Sequence, residues 1–356
     1  MADNGLDDDE APGWDAINAA LKPIYGNQQP KHFGTVINYV LGGPDPLDGI
    51  SAYKRLEPVP HWHYVSYGLS ELYEKSSSDP DISGYGFELT FRLACPTDEE
   101  EPPAWPMNLM QNLARYVFQT GNEFMPGHWV NLNGPIMLGS DTQICSIAFV
   151  EDPELGEIQT PHGSVQFLQI VGLTQDEEDA GKSWNVAKLL EAFTPHLPPL
   201  YVNDIGRTSL MTHADIQQAV ADGMKSDGSS TGYIYTDSVQ WSERKRLFKK
   251  PLITLEIGAG PITQLLHLLP ARLPFDKDVK LMEGDKIVGF SASDTNRAET
   301  KDSFLFIHFR PETLDAFLHQ VKPLEGSYDV EGTNLRVIVT KTDIRDKDGN
   351  IVDVIG

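Results

Sequence analysis

His61-Trp62-His63 places two imidazoles one residue apart inside an aromatic and β-branched run that continues to Tyr67. Alternate residues of a strand share a face, so the two rings stand on the same side with Cα atoms about 7 Å apart. That spacing could hold zinc or iron, given at least one further ligand from elsewhere in the chain. The structural reading comes first, an aromatic packing in which both rings are hydrogen-bonded. A second candidate is Leu255-Glu256-Ile257-Gly258-Ala259-Gly260-Pro261, where bare glycine backbone could lie against a cofactor. Cys95 and Cys145 are the only thiols, one before a proline at a strand end and one in an apolar strand expected to be core. Asp45 and Asp48 sit among turn residues and suit turn formation first. No Gly-x-Ser-x-Gly elbow and no P-loop lysine occurs, which removes two common enzyme classes.

The elements that would carry these residues follow from periodicity. A short helix is expected from Trp14 to Leu21, ended near Lys22-Pro23. Phe33–Leu41 is apolar enough for a buried strand or short helix, and a Gly-Pro-Asp-Pro turn follows it. Gly86–Leu93 alternates with period two, putting Phe87, Leu89, Phe91 and Leu93 on one face and Glu88, Thr90 and Arg92 on the other. Further strands are expected at 143–149 and 164–173, and helices at 176–193 and 214–224. Leu109, Met110, Leu113 and Val117 recur at helical spacing after Trp105-Pro106, and Thr120-Gly121-Asn122 supplies a C-cap. Ser226–Gly232 is small and polar and reads as a linker. Strands near 233–235, 252–257, 287–291, 304–309 and 335–341 and a helix at 311–321 complete the second half.

The fold class is therefore α+β, with two domains, each a mixed or mostly antiparallel sheet with packed helices. The expected divisions are an acidic disordered tail (1–11), a first domain (12–225), the linker (226–232) and a smaller domain (233–356). With 28 Lys+Arg against 52 Asp+Glu the formal charge is −24, which repels nucleic acid and anionic membrane and excludes both as main partners. Two cysteines and no apolar leader point to the cytoplasm, and no apolar run is long enough to span a bilayer. No cofactor and no resident metal is expected. The Gly258 stretch resembles the first motif of S-adenosylmethionine-dependent methyltransferases, but Ile262 stands at the third glycine position and fewer than 100 residues follow.

Longer motifs resemble one family, the suppressor of fused proteins. They are Tyr39–Asp48 (YVLGGPDPLD), His61–Leu72 (HWHYVSYGLSEL), Gly84–Leu93 (GYGFELTFRL), Trp105-Pro106 with Leu113–Gln119 (LARYVFQ), Glu151-Asp152-Pro153, Gln159-Thr160-Pro161 and Phe167–Gly172 (FLQIVG). The likeness covers about residues 12–232. It implies a non-enzymatic protein-binding module that clamps a short partner peptide as an added β-strand between two domains and so inhibits the partner. In animals the partners are the zinc-finger transcription factors of Hedgehog signalling. Carried onto this chain, the strand after the Trp105 helix (His128, Trp129, Val130) and the one after the linker (Gly232, Tyr233, Ile234, Tyr235) would flank the peptide. Tyr116 would support the cleft. His128 stands where animal members carry a partner-engaging aspartate, and the second half lacks their long phosphorylatable insert. Both differences imply a compact, bacterial-type member acting as an immunity or regulatory protein, with a toxin or regulatory protein as partner.

Overall fold

The computed structural model describes residues 11–37, 39–247, 249–345 and 351–356; residues 1–10 of the expected acidic tail lie outside them. The chain forms two compact units. One comprises the residues up to Asp179 together with Val186–Gln217, the other Ala180–Asn185 together with Gln218–Gly356.

The first unit is built on an eight-stranded sheet of β1 (Lys31–Gly34), β2 (Gly49–Arg55), β3 (His61–Tyr67), β4 (Ile82–Ala94), β5 (Trp129–Asn131), β6 (Ile144–Glu151), β7 (Glu157–Thr160) and β8 (Gly163–Thr174). Their order is β1-β2-β3-β4-β8-β6-β5, with β7 beside β8. Only β4 and β8 run parallel; every other pair is antiparallel.

Helix α1 (Pro12–Tyr25) and helix α2 (Trp105–Thr120) supply two separate core clusters. The expected apolar face of β4 packs with Leu109, Met110, Leu113, Ala114 and Val117 of α2. Helix α2 ends as its sequence requires, with Gly121 left-handed (φ 71°) and its N–H donated to the Val117 carbonyl at 2.8 Å. Helix α1 overruns the expected stop at Pro23, giving up the i→i−4 hydrogen bond that proline cannot donate, and closes at Gly26 instead. The apolar residues Phe33, Val36, Ile37 and Leu41 are exposed, Val36 at 99% and Leu41 at 81%. Only its first part is a strand, and Tyr39–Leu41 is a 3-10 turn. The single helix expected at 176–193 is two, α3 (Gln175–Ser183) and α4 (Val186–Phe193), followed by α5 (Ala214–Ser226).

In the second unit, β9 (Tyr233–Tyr235), β10 (Val239–Arg246), β11 (Lys249–Gly258), β12 (Val279–Glu283), β13 (Lys286–Ala292), β14 (Arg297–Lys301), β15 (Phe304–Phe309), β16 (Gly326–Asp329) and β17 (Leu335–Thr340) form two mixed sheets. Their orders are β10-β11-β17-β16 and β14-β15-β13-β12-β9. Helices α6 (Ala259–Arg272) and α7 (Pro311–Gln320) share one apolar cluster with both, and a hairpin of β18 (Thr342–Arg345) and β19 (Ile351–Ile355) closes the chain. The polar Ser226–Gly232 stretch is fastened within this unit. Trp184 Nε1 donates to Asp227 at 3.0 Å, Ser229 Oγ to the Lys182 carbonyl at 2.5 Å, and Arg272 to the Ser229 carbonyl at 2.7 Å. The protein is α+β in both units. No helix among the described residues is long and apolar enough to cross a membrane.

Candidate functional site

His61 and His63 are both fully buried, on the face of β3 that turns towards α1. His61 Nδ1 lies 2.7 Å from the Val59 carbonyl, and His63 Nδ1 2.6 Å from the Tyr25 hydroxyl. His63 Nε2 looks at Asp152 Oδ2 from 3.5 Å. Among the described residues no set of metal ligands includes either ring, and the two rings serve a buried polar layer.

That layer is the other face of β4. Arg92, at 0% exposure, donates to Asp152 Oδ2 at 2.6 Å, Asp152 Oδ1 at 3.1 Å and Glu154 at 2.9 Å, and also to Gln169. Thr90 Oγ1 donates to Asp152 at 2.7 Å, and the same carboxylate caps the backbone N–H groups of Glu154 and Leu155. Burial alone would raise the Asp152 carboxyl, but His63 and the Arg92 charge outweigh it and hold the group well below its usual range. Burial first, then the Arg92 charge, lowers His63 from 6.5 to about 4, so the ring is neutral near pH 7.

The sign of the resulting pH dependence follows. Between pH 6.5 and 4 the unfolded chain takes up a proton on His63 that the folded one refuses, so stability falls as the pH falls. Between pH 7 and 5 this group should cost roughly 2 kcal/mol. Urea midpoints of the protein and of His63→Gln, measured at both pH values, should show a shallower loss in the variant. Equal losses would mean that His63 is not held neutral.

The glycine stretch has a structural explanation. It does join a strand, β11, to a helix, α6. The space that bare backbone leaves is filled by Thr342: a Cβ on Gly258 would sit 2.4 Å from Thr342 Oγ1, which accepts the Gly260 N–H at 3.0 Å. The motif's glycines admit a neighbouring strand, not a cofactor. Cys145 is half-buried and not core, and burial raises both thiols, Cys95 and Cys145, which disfavours the nucleophilic thiolate.

The expected binding residues fall on two strand ends. Strand β5 lies at one edge of the first sheet and β9 at one edge of the five-stranded sheet. Phe149 N–H donates to the His128 carbonyl and Leu132 N–H to the Cys145 carbonyl, each at 3.0 Å. Residues 128, 130 and 132 therefore address β6, and by alternation the backbone groups of Trp129 and Asn131 point away from it. In β9, Gly232 and Thr236 bond β12, through Lys280 N–H at 2.8 Å and the Met282 carbonyl at 2.9 Å. Tyr233 and Tyr235 thus turn their backbone outward, with side chains 54% and 75% exposed, while Ile234 is buried at 1%.

Tyr116 is 44% exposed on α2 and stacks on Phe124 (5.7 Å, 19°), which stacks on Phe149 of β6 (4.4 Å, 20°). Asn122 donates to its hydroxyl at 3.0 Å. This aromatic ladder fixes an exposed ring beside the chain that enters β5. Gly127 makes that entry possible: it is left-handed (φ 84°), donates to the Phe149 carbonyl at 2.8 Å, and a Cβ there would press on Ala187 at 3.3 Å. His128 is exposed. Sequence reading did not find the ladder, although the spacing of Tyr116 and Phe124 across a helix end was available to suggest it.

The sequence and fold of this chain are similar to those of known proteins. A sequence model of the Suppressor of fused protein (SUFU) family matches residues 43–208. The Suppressor of fused homolog of Homo sapiens is 39% identical over 234 residues, 61% of this chain and 48% of that protein, and that of Mus musculus gives the same figures. The chain spans about half the length of the curated relatives it matches. The crystal structure of Drosophila Suppressor of Fused shares the fold with a TM-score of 0.79 at 23% identity, over 92% of this chain and 97% of that one. A chain of the Sufu–Fu complex crystal structure matches with a TM-score of 0.55 at 33% identity, over 60% of this chain and 98% of that one. By motif order, fold and identity, this chain belongs to the suppressor of fused family.

Proposed function

We propose that this protein is a non-enzymatic binding module that takes a short segment of another protein as an added β-strand and inhibits that protein by holding it. One observation carries the reading: β5 and β9 are both edge strands, and each turns alternate backbone groups away from its own sheet. Such an edge adds a strand through main-chain hydrogen bonds, while exposed side chains select the sequence. On this reading Tyr116, His128, Trp129 and Val130 receive one side of the segment and Gly232, Tyr233, Ile234 and Tyr235 the other. The relative solved with Fu supports a protein as the partner. A surface of −24 suits a basic or mixed-charge partner, and a toxin or a regulatory protein fits this description. The exposed His128 fits a partner contact different from one read by an aspartate. An immunity or regulatory role in the cytoplasm of a bacterial host follows from this reading.

The test is capture from lysate of the native cell by the protein and by Tyr116→Ala. An exposed aromatic at an interface centre contributes about 2 kcal/mol, roughly a thirtyfold change in affinity. Partners held by the wild type should be missing from the variant, whose urea midpoint should stay unchanged. Identical partner sets would sink the assignment of Tyr116 to the site.

A further inference from the structure

His196, His213 and Asp215 come together in the first unit, and nothing in the peptide-binding reading uses them. His196 follows α4, His213 immediately precedes α5, and Asp215 lies in the first turn of α5. His196 Nε2 is 2.7 Å from Asp215 Oδ2, and the two imidazole rings lie 4.0 Å apart at 31°. One nitrogen of each ring and one carboxylate oxygen all fall within 4.8 Å of one another.

An ion pair explains only part of this. The hydrogen bond between His196 and Asp215 accounts for one ring, whereas the His213 ring, tilted against that of His196, takes no part in that bond. A divalent cation accounts for all three side chains at once, since each ring offers a lone pair and the carboxylate supplies charge. Donors around a tetrahedral zinc at about 2.0–2.1 Å are about 3.3 Å from one another. The present donors bracket that separation, so ordinary side-chain rotation closes the set.

The backbone is already fixed. The N–H of His196 donates to the Phe193 carbonyl at 2.9 Å, and that of His213 to the Leu210 carbonyl at 3.0 Å. Gln217 N–H donates to the His213 carbonyl at 3.1 Å.

We infer that His196, His213 and Asp215 bind a divalent transition-metal ion of the zinc type, with solvent completing its coordination. Two imidazoles and one carboxylate favour zinc, copper or nickel over magnesium or calcium, which prefer all-oxygen sets.

The test uses the full chain without a histidine tag, stripped with a chelator and titrated with zinc at pH 7.5. One equivalent should bind saturably, and His213→Ala and Asp215→Ala should each weaken binding about tenfold or more. Cobalt substituted for zinc should give the intense visible bands of a four-coordinate ion in the wild type and lose them in both variants. Zinc uptake should persist in His319→Ala, which removes an exposed histidine elsewhere. His213 is exposed, so its variant should keep its urea midpoint in chelator and remain a fair test even if Asp215→Ala weakens the fold. Absence of saturable binding, or binding equal in wild type and both variants, overturns the site.

Discussion

Asp152→Ala is expected to destabilise the first unit by about 3–5 kcal/mol, the cost of breaking a buried ion pair by removing one partner. The side chain it removes has 0% exposure and accepts from Arg92, Thr90 and two backbone N–H groups. Loss of the carboxylate leaves the Arg92 guanidinium buried with only Glu154 to balance it, at 2.9 Å. Asp152→Asn should cost less, since an amide still accepts from Thr90 and the backbone. The acid limb of the stability curve should change as well. The folded carboxyl titrates well below its unfolded value of 3.8, so its contribution is full above that pH and is lost below it. Urea unfolding at pH 7, followed by the fluorescence of the buried Trp62, measures the main effect. A loss under about 1 kcal/mol would mean that solvent reaches Arg92 and the layer is not closed.

Much of the fold was legible because burial and period coincide. Strand β4 alternates apolar and polar residue types from Phe87 to Leu93, although both of its faces are buried; α2 carries an apolar stripe with a proline at its start and a glycine at its end, and α7 lies close to its expected bounds. What failed has physical reasons. Strand β10 is exposed along nearly its whole length, so it shows no apolar alternation to mark it as a strand. Helix α6 was hidden by the glycine stretch, whose meaning depends on Thr342, 82 residues away. Phe33–Leu41 looked like core because apolar type suggests burial without ensuring it.

The candidate site was legible in a different way. Local pattern marked α2 as a core helix and showed nothing of an edge. Whether a strand is an edge depends on which strands lie beside it, and that is a long-range property. Residues 128–130 and 232–235 entered through family resemblance, and the sheet orders put the strands they belong to at sheet edges. The polar face of β4 shows the reverse case. Its residue types were visible, but a row of Glu, Thr and Arg suggests solvent, and only the fold shows Glu88 buried and bonded to Ser66, Gly68 and Ser70. Burial is the first cause that raises the Glu88 carboxyl, ahead of the hydrogen bonds from Ser66, Ser70 and Gly68 that oppose it.

Asn131→Pro is expected to weaken partner binding at least about tenfold relative to Asn131→Ala while leaving the first unit folded, a difference of about 1.4 kcal/mol or more. The two variants share every side-chain loss, including the 2.7 Å bond to Glu178 and the 2.8 Å cap on the Asn133 N–H. They differ in the backbone. Alternation points the Asn131 N–H away from β6, so proline removes no rung of the ladder, and an edge position with its N–H outward is where a sheet tolerates proline. An added strand needs that N–H and meets the pyrrolidine ring instead. Affinity for the captured partner's segment, measured by fluorescence anisotropy with matched urea midpoints, separates the cases. Binding equal in the two variants would remove β5 from the interface. The same comparison at β9, Tyr235→Pro against Tyr235→Ala, tests the second edge by the same logic, because Tyr235 also turns its backbone away from its neighbour. Loss at each position is the result that strand addition at that edge requires.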